Sequence, residues 1–189
     1  MGAFDYNTAD GQRDLDVIPN GTIAVIQLNI RPGDVGEDGI LRRSRDGGCE
    51  MLDCEFIVVA GPYAKRKFFS NMVLSGTTDG HAQAADITRA RLRAILESAR
   101  SIKPTDVSEA AKKARVAEYR DFDGIRFMAK IGIEPAKGEY KAKNTITSVI
   151  TPDQKEWHPI EQVEQPPAHA TPAAVTPASK TIVKPTWAQ

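Results

Sequence analysis

The chain is short of what marks a membrane protein, a disulfide scaffold or a strongly charged binder. No apolar run approaches the roughly 20 residues that a spanning helix needs, so a soluble protein with no membrane partner is expected. Met1-Gly2-Ala3-Phe4-Asp5 has neither a basic region nor an apolar stretch, which does not fit a secretory signal. Cys49 and Cys54 are the only cysteines. No further cysteine or suitably spaced histidine makes a metal set with them, so both read as free thiols of a reducing cytoplasm, with Cys54 facing the core.

Net charge is lacking too, since 25 Lys+Arg balance 25 Asp+Glu. That argues against a polybasic nucleic-acid binder and leaves room for a local basic face. Catalytic motifs are also missing. There is no Gly-rich phosphate loop with its Lys and Ser/Thr, no nucleophile elbow and no His-pair metal motif. His81, His158 and His169 are scattered. Asp53 and Glu55 share a strand face, but a lone acidic pair is more often exposed charge than a metal site. No enzyme, cofactor or metal is expected.

What the chain does have is an order of elements. Thr22–Ile30 alternates, with Ile26, Leu28 and Ile30 on one face and Gln27 and Asn29 on the other, the pattern of a half-buried strand. A loop rich in Gly and Pro runs from Arg31 to Gly48 and carries Arg42, Arg43 and Arg45. A second strand is expected over Glu50–Ala60, with Leu52, Cys54, Phe56 and Val58 inward and Met51, Asp53 and Glu55 outward. A third is expected over Lys67–Ser75. Ala85, Thr88, Leu92, Ile95, Leu96 and Ala99 repeat at helical spacing and predict a helix from Gly80 to Arg100. Arg93 and Glu97 can pair on its other face. A short surface helix is expected over Asp106–Tyr119, capped by Thr105 or Asp106. Two more strands follow. Gly124–Glu134 has Ile125, Phe127, Ala129, Ile131 and Ile133 on one face. Glu139–Ile150 has Tyr140, Ala142, Asn144, Ile146, Ser148 and Ile150 opposed to Lys141, Lys143, Thr145, Thr147 and Val149.

Five strands with a helix between the third and fourth is the order of an OB-fold, a five-stranded Greek-key barrel that often binds single-stranded nucleic acid. The barrel is expected to occupy residues 21–150, after an extended arm over 1–20. That arm carries Asp5, Asp10, Asp14 and Asp16 against Arg13. Residues 151–189 hold seven of the 12 prolines and no periodicity, which reads as a disordered Pro/Ala-rich tail.

Charge is segregated within the expected barrel. Lys65, Arg66, Lys67, Arg89, Arg91, Arg93, Arg100 and Lys103 face only Asp79, Asp86 and Glu97 in their stretch. Arg126, Lys130, Lys137, Lys141 and Lys143 face Glu134 and Glu139. Aromatics are interleaved, and that mixture suits single strands: cations neutralise phosphates and release counterions, while aromatic faces stack bases. Lys65, Arg66, Lys67, Arg126, Lys130, Lys141 and Lys143 are the expected phosphate contacts, with Arg42 and Arg43 closing from the loop. Tyr63, Phe68 and Tyr140 are the expected stacking residues. Phe68 and Phe69 point to opposite faces, so at most one is core; Phe127 is assigned to the core.

Five segments together resemble a known family. They are the strand opening at Gly21, Gly48-Cys49-Glu50-Met51-Leu52, Val59-Ala60-Gly61-Pro62-Tyr63-Ala64-Lys65-Arg66-Lys67, Arg91-Leu92-Arg93-Ala94-Ile95-Leu96 and Lys143-Asn144-Thr145-Ile146. The family is the phage-encoded OB-fold single-stranded DNA-binding proteins, long classed as domains of unknown function beside phage recombination and replication genes. The resemblance covers roughly residues 20–150. It implies non-catalytic coating of single strands in phage replication or recombination, in the cytoplasm of the bacterial host, with no cofactor. Single-stranded DNA is the expected partner, RNA a related one, and a homo-oligomer fits the short reach of one barrel. Trp187 near the end of the tail is a candidate dock for a replication or recombination protein. Two alternatives remain open: a barrel that binds a host or replication protein, and a nuclease or annealing enzyme.

Overall fold

The computed structural model describes residues 16–36 and 39–161. Its elements are β1 (Thr22–Ile30), β2 (Leu41–Arg43), β3 (Cys49–Val58), β4 (Lys67–Gly76), α1 (Asp79–Ala99), α2 (Glu109–Ala114), a 3-10 turn at Tyr119–Phe122, β5 (Arg126–Glu134) and β6 (Lys143–Ile150). All strand pairs are antiparallel. β1 is central, pairing β3 from Ile26↔Val58 to Ile30↔Cys54 and β5 from Thr22↔Ile131 to Gln27↔Arg126. β4 runs along the other edge of β3, and β6 along the far edge of β5. The sheet thus reads β4-β3-β1-β5-β6, with β2 continuing beyond β1 on the edge of β3. β4 and β6, the two ends of this order, meet with no ladder between them among the described residues. The architecture is mainly β, a curled six-stranded antiparallel sheet with one long helix.

Alternation explains the core. Ile26 and Leu28 of β1, Leu52, Cys54, Phe56 and Val58 of β3, and Phe127, Ala129 and Ile131 of β5 are all sealed from solvent. The Phe56 ring stacks on Phe68 with centroids 5.3 Å apart and meets Phe127 edge-on at 6.5 Å, the two arrangements that aromatic quadrupoles favour. α1 lays Leu92, Ile95, Leu96 and Ala99 into this core and packs on β4, β5 and β6. Thr78 caps its start, the side-chain oxygen accepting from the His81 N–H, and Asp79 in the first turn suits the helix dipole.

Several boundaries differ from the sequence expectation. β2 arises inside the stretch expected to be loop. The short helix forms only over Glu109–Ala114, capped by Ser108 rather than Thr105 or Asp106. The Arg93–Glu97 pair forms at 2.9 Å, but Glu97 is buried because Arg115 closes over it at 2.7 Å. The Arg115 guanidinium also donates to the carbonyls of Lys103 and Asp106, tying the α1–α2 connection together. Met51 and Asp53, expected outward, are buried, and the Asp53 carboxylate is closed over by Arg31 and Arg42.

In β6 the pairing moves from Lys130↔Ser148 to Ile131↔Ile146, so Thr147 is an extra residue. This bulge changes the phase of the strand: Val149 enters the core and Ser148 is exposed, the reverse of strict alternation. Gly132 makes the bulge possible, since a Cβ there would sit 2.1 Å from Thr147 Oγ1.

The folded region is also wider than 21–150. Ile18 is 1% exposed, inside the core, and belongs to the stretch expected to be an arm. At the other end the Trp157 indole donates to the Ser98 carbonyl at 3.2 Å, and the segment around it covers Met128. Trp187 lies outside the described residues.

Candidate nucleic-acid interface

The β3–β4 hairpin builds the first part of the site. Its turn is closed by Ala64 N–H to Gly61 O and Lys65 N–H to Val58 O, with Gly61 (φ +87) and Lys65 (φ +68) in the left-handed region. That turn pushes Lys65 into solvent and returns the chain into β4 at Lys67. Across the unladdered seam stands Lys143, the first residue of β6. Between them lies a groove of about 510 Å³ lined by Val17, Lys65, Arg66, Lys67, Phe68, Phe69, Lys143 and Asn144. Four lining residues are cationic and none is acidic. Two of the lining cations are paired with acids outside the lining: Glu55 accepts from Lys67 at 3.1 Å and Glu134 meets Lys143 at 3.2 Å. Arg66 is tied to the backbone carbonyl of Asp16.

Of the expected contact residues, the fold therefore brings Lys65, Arg66, Lys67, Phe68 and Lys143 to one groove. Phe68 shows it only an edge, because its ring is stacked in the core on Phe56, so it has no free face for a base. Tyr63 is half-buried and leans on the core. Tyr140 is 81% exposed, in the turn between β5 and β6 where Lys137 and Tyr140 bridge, with Lys141 following it toward Lys143. Arg126 is half-buried on β5 and donates to Gln27 Oε1 at 3.2 Å. Lys130 is exposed further along β5. Arg42 and Arg43 are not on a free loop. They form β2, where Arg42 binds the Asp53 carboxylate and Arg43 binds Glu50 at 2.9 Å.

The outer face of β4 holds a feature absent from the sequence reading. Phe69 is 45% exposed, and the Arg31 guanidinium lies over its ring at 5.3 Å from the centroid. Arg31 also reaches Asp53 at 3.3 Å. Alternation alone leaves open which of Phe68 and Phe69 faces outward. Asn71, two residues on, marks the polar face of the strand and would have chosen Phe69. Behind this face, burial in the core and the neighbouring Asp53 push the Cys54 thiol up to about 12.

Among the described residues, no three His, Cys, Asp or Glu side chains come together as a set able to hold a metal ion. No helix among them is long and apolar enough to cross a membrane. In comparisons with known proteins, no family model matches the chain and no curated protein matches it.

Proposed function

We propose that the chain binds single-stranded DNA without catalysis, through the groove between β4 and β6. The observation that carries this reading is the groove itself: four cations, no acid in the lining, and an exposed aromatic ring at its edge. Cations neutralise phosphate and aromatic faces take up unstacked bases, the two requirements of single-strand binding. The strand order β4-β3-β1-β5-β6, with α1 between β4 and β5, supports treating the sheet as an OB-type barrel with β2 added. Taken with the family resemblance, the role is to protect and organise single strands during phage replication or recombination. A homo-oligomer and a tail-recruited partner belong to the same reading.

Fluorescence anisotropy with labelled poly-dT, duplex DNA and poly-U across a salt series tests it. Selective binding to poly-dT is expected, with log affinity falling against log salt at a slope of about −2 to −3 for three or four phosphate contacts. Charge reversal at Lys65 and Lys143 should weaken binding alike on all sequences. Equal affinity for poly-U would extend the ligand to RNA, since 2′-OH contacts decide that choice. Salt-insensitive binding, or none at low salt, overturns the reading. The second reading, a protein-interaction module, then takes over; the acids paired with two of the groove's lysines, Glu55 and Glu134, favour it.

A further inference from the structure

We propose that Arg31 and Phe69 form a composite platform on which one nucleobase stacks, with Asp53 as its positioning residue. The inference rests on the single-strand reading above and names a subsite within it.

Phe69 interrupts a polar face. It pairs with Glu55 of β3, which in turn pairs with Asn29 of β1, and the next rung is Asp53 with Asn71. A phenylalanine side chain gains most when fully buried, so a ring left 45% exposed on a regular strand forgoes part of that gain. The Arg31 guanidinium lies over the ring.

Arg31 is fixed at both ends. Its backbone N–H donates to the Asp53 carbonyl at 2.8 Å, carrying the β1–β3 pairing one step past the end of β1. Its side chain reaches the Asp53 carboxylate at 3.3 Å. The Asp53 side chain is only 6% exposed and also holds Arg42, so a buried negative charge is compensated by two cations. An unpaired buried carboxylate is costly, and that cost keeps both arginines in place. The Arg31 side chain is still 46% exposed. The Arg31 cation sits over Phe69 with its central carbon 5.3 Å from the ring centroid while much of the side chain remains open to solvent, and guanidinium planes stack on bases as aromatic rings do. Because the plane is already held, less side-chain freedom is lost on binding.

The platform continues into the groove, since Phe69 lines both. Lys67 lies two residues earlier on the same face of β4, roughly 7 Å away. A base on Arg31 and Phe69 would leave its phosphate within reach of Lys67. The ligand is a single-stranded nucleotide, because a base inside a duplex has no free face to offer.

The test compares an oligo-dT with an abasic oligomer of equal length, using the full chain. Phe69→Ala and Arg31→Lys should each weaken oligo-dT binding roughly 5- to 140-fold, the range of one base–aromatic stack. Neither should change binding of the abasic oligomer or the salt slope, since Arg31→Lys keeps the charge and loses only the plane. Asp53→Asn should lower oligo-dT affinity, and its effect should vanish in an Arg31→Lys background, which a merely structural role would not produce. If the wild type binds oligo-dT and neither Phe69→Ala nor Arg31→Lys alters it, the platform is overturned and the groove reading stands. If the wild type binds neither oligomer, the single-strand reading fails, and the platform fails with it.

Discussion

Asn144 holds both backbone groups of Ile18, a residue 126 positions earlier in the chain. Its Oδ1 accepts from the Ile18 N–H at 2.8 Å, and its Nδ2 donates to the Ile18 carbonyl at 2.8 Å and to the Gly132 carbonyl at 3.2 Å. A side-chain amide thus does for Ile18 what a neighbouring strand does elsewhere, beside the seam where β4 and β6 form no ladder. Asn144→Ala leaves buried backbone groups without partners and should cost about 2–4 kcal/mol. Ile18→Ala should cost about 2–5 kcal/mol. The double variant should lose less than the sum, because the two residues act on one contact. Urea denaturation midpoints check all three.

Adjacent phenylalanines should behave differently. Phe68, stacked on Phe56, should cost about 3–5 kcal/mol when replaced by Ala. Phe69→Ala, half exposed on the outer face, should cost less, about 0.5–1.5 kcal/mol. Thermal and urea unfolding measure both, and equal losses would contradict the burial assigned here.

Glu55 competes with any phosphate that approaches Lys67, since both carboxylate oxygens lie within 3.2 Å of Nζ. Replacing it with Gln should free the ammonium. Exposed pairs are worth about 0.2–1 kcal/mol, so Glu55→Gln should tighten poly-dT binding roughly 1.4- to 5-fold at low salt. Anisotropy titrations read this directly. A weakened complex would mean that Glu55 orients Lys67 rather than opposing the ligand.

Cys54 makes stability depend on alkaline pH. Burial raises its thiol from an ordinary 9.0 to about 12. Between those values the unfolded chain releases the proton and the folded chain keeps it. Fewer protons are then bound in the unfolded state, so stability falls as pH rises, by up to about 1.4 kcal/mol per pH unit. Below pH 9 this effect is absent. Denaturation midpoints from pH 8 to 11 should slope downward in wild type and less in Cys54→Ala. In the folded protein Cys54 should resist thiol reagents that label it at once in denaturant.

Strands with strict alternation were legible from sequence, and long-range cover was not. Ile26, Leu28 and Ile30 locate β1 to the residue because no bulge disturbs its period. β2 escapes because three residues, two of them arginines, carry no period to recognise. The phase change in β6 depends on Gly132 of β5 leaving room for the Thr147 side chain, a contact between strands that one strand's pattern does not contain. At the candidate site, the hairpin cations were legible as a local run. Lys143 joins them only because β6 returns beside β4. The Arg31–Asp53–Arg42 cluster was invisible for the same reason, since an acidic residue on an alternating strand reads as solvated charge until the arginines that close over it are known. Ile18 lies in an Asp-rich stretch, and its place in the core depends on Asn144.

The central position of β1 has a consequence for synthesis. Its partner on one side, β3, follows within 30 residues, but the strand on its other side, β5, ends only at Glu134. At translation rates of 5–20 residues per second, that edge of β1 waits roughly 5–20 s for its neighbour. During that interval the β1–β3–β4 meander is a growing chain's only sheet, open along an apolar strand. A chaperone, or a second nascent copy, would meet this protein first at that edge.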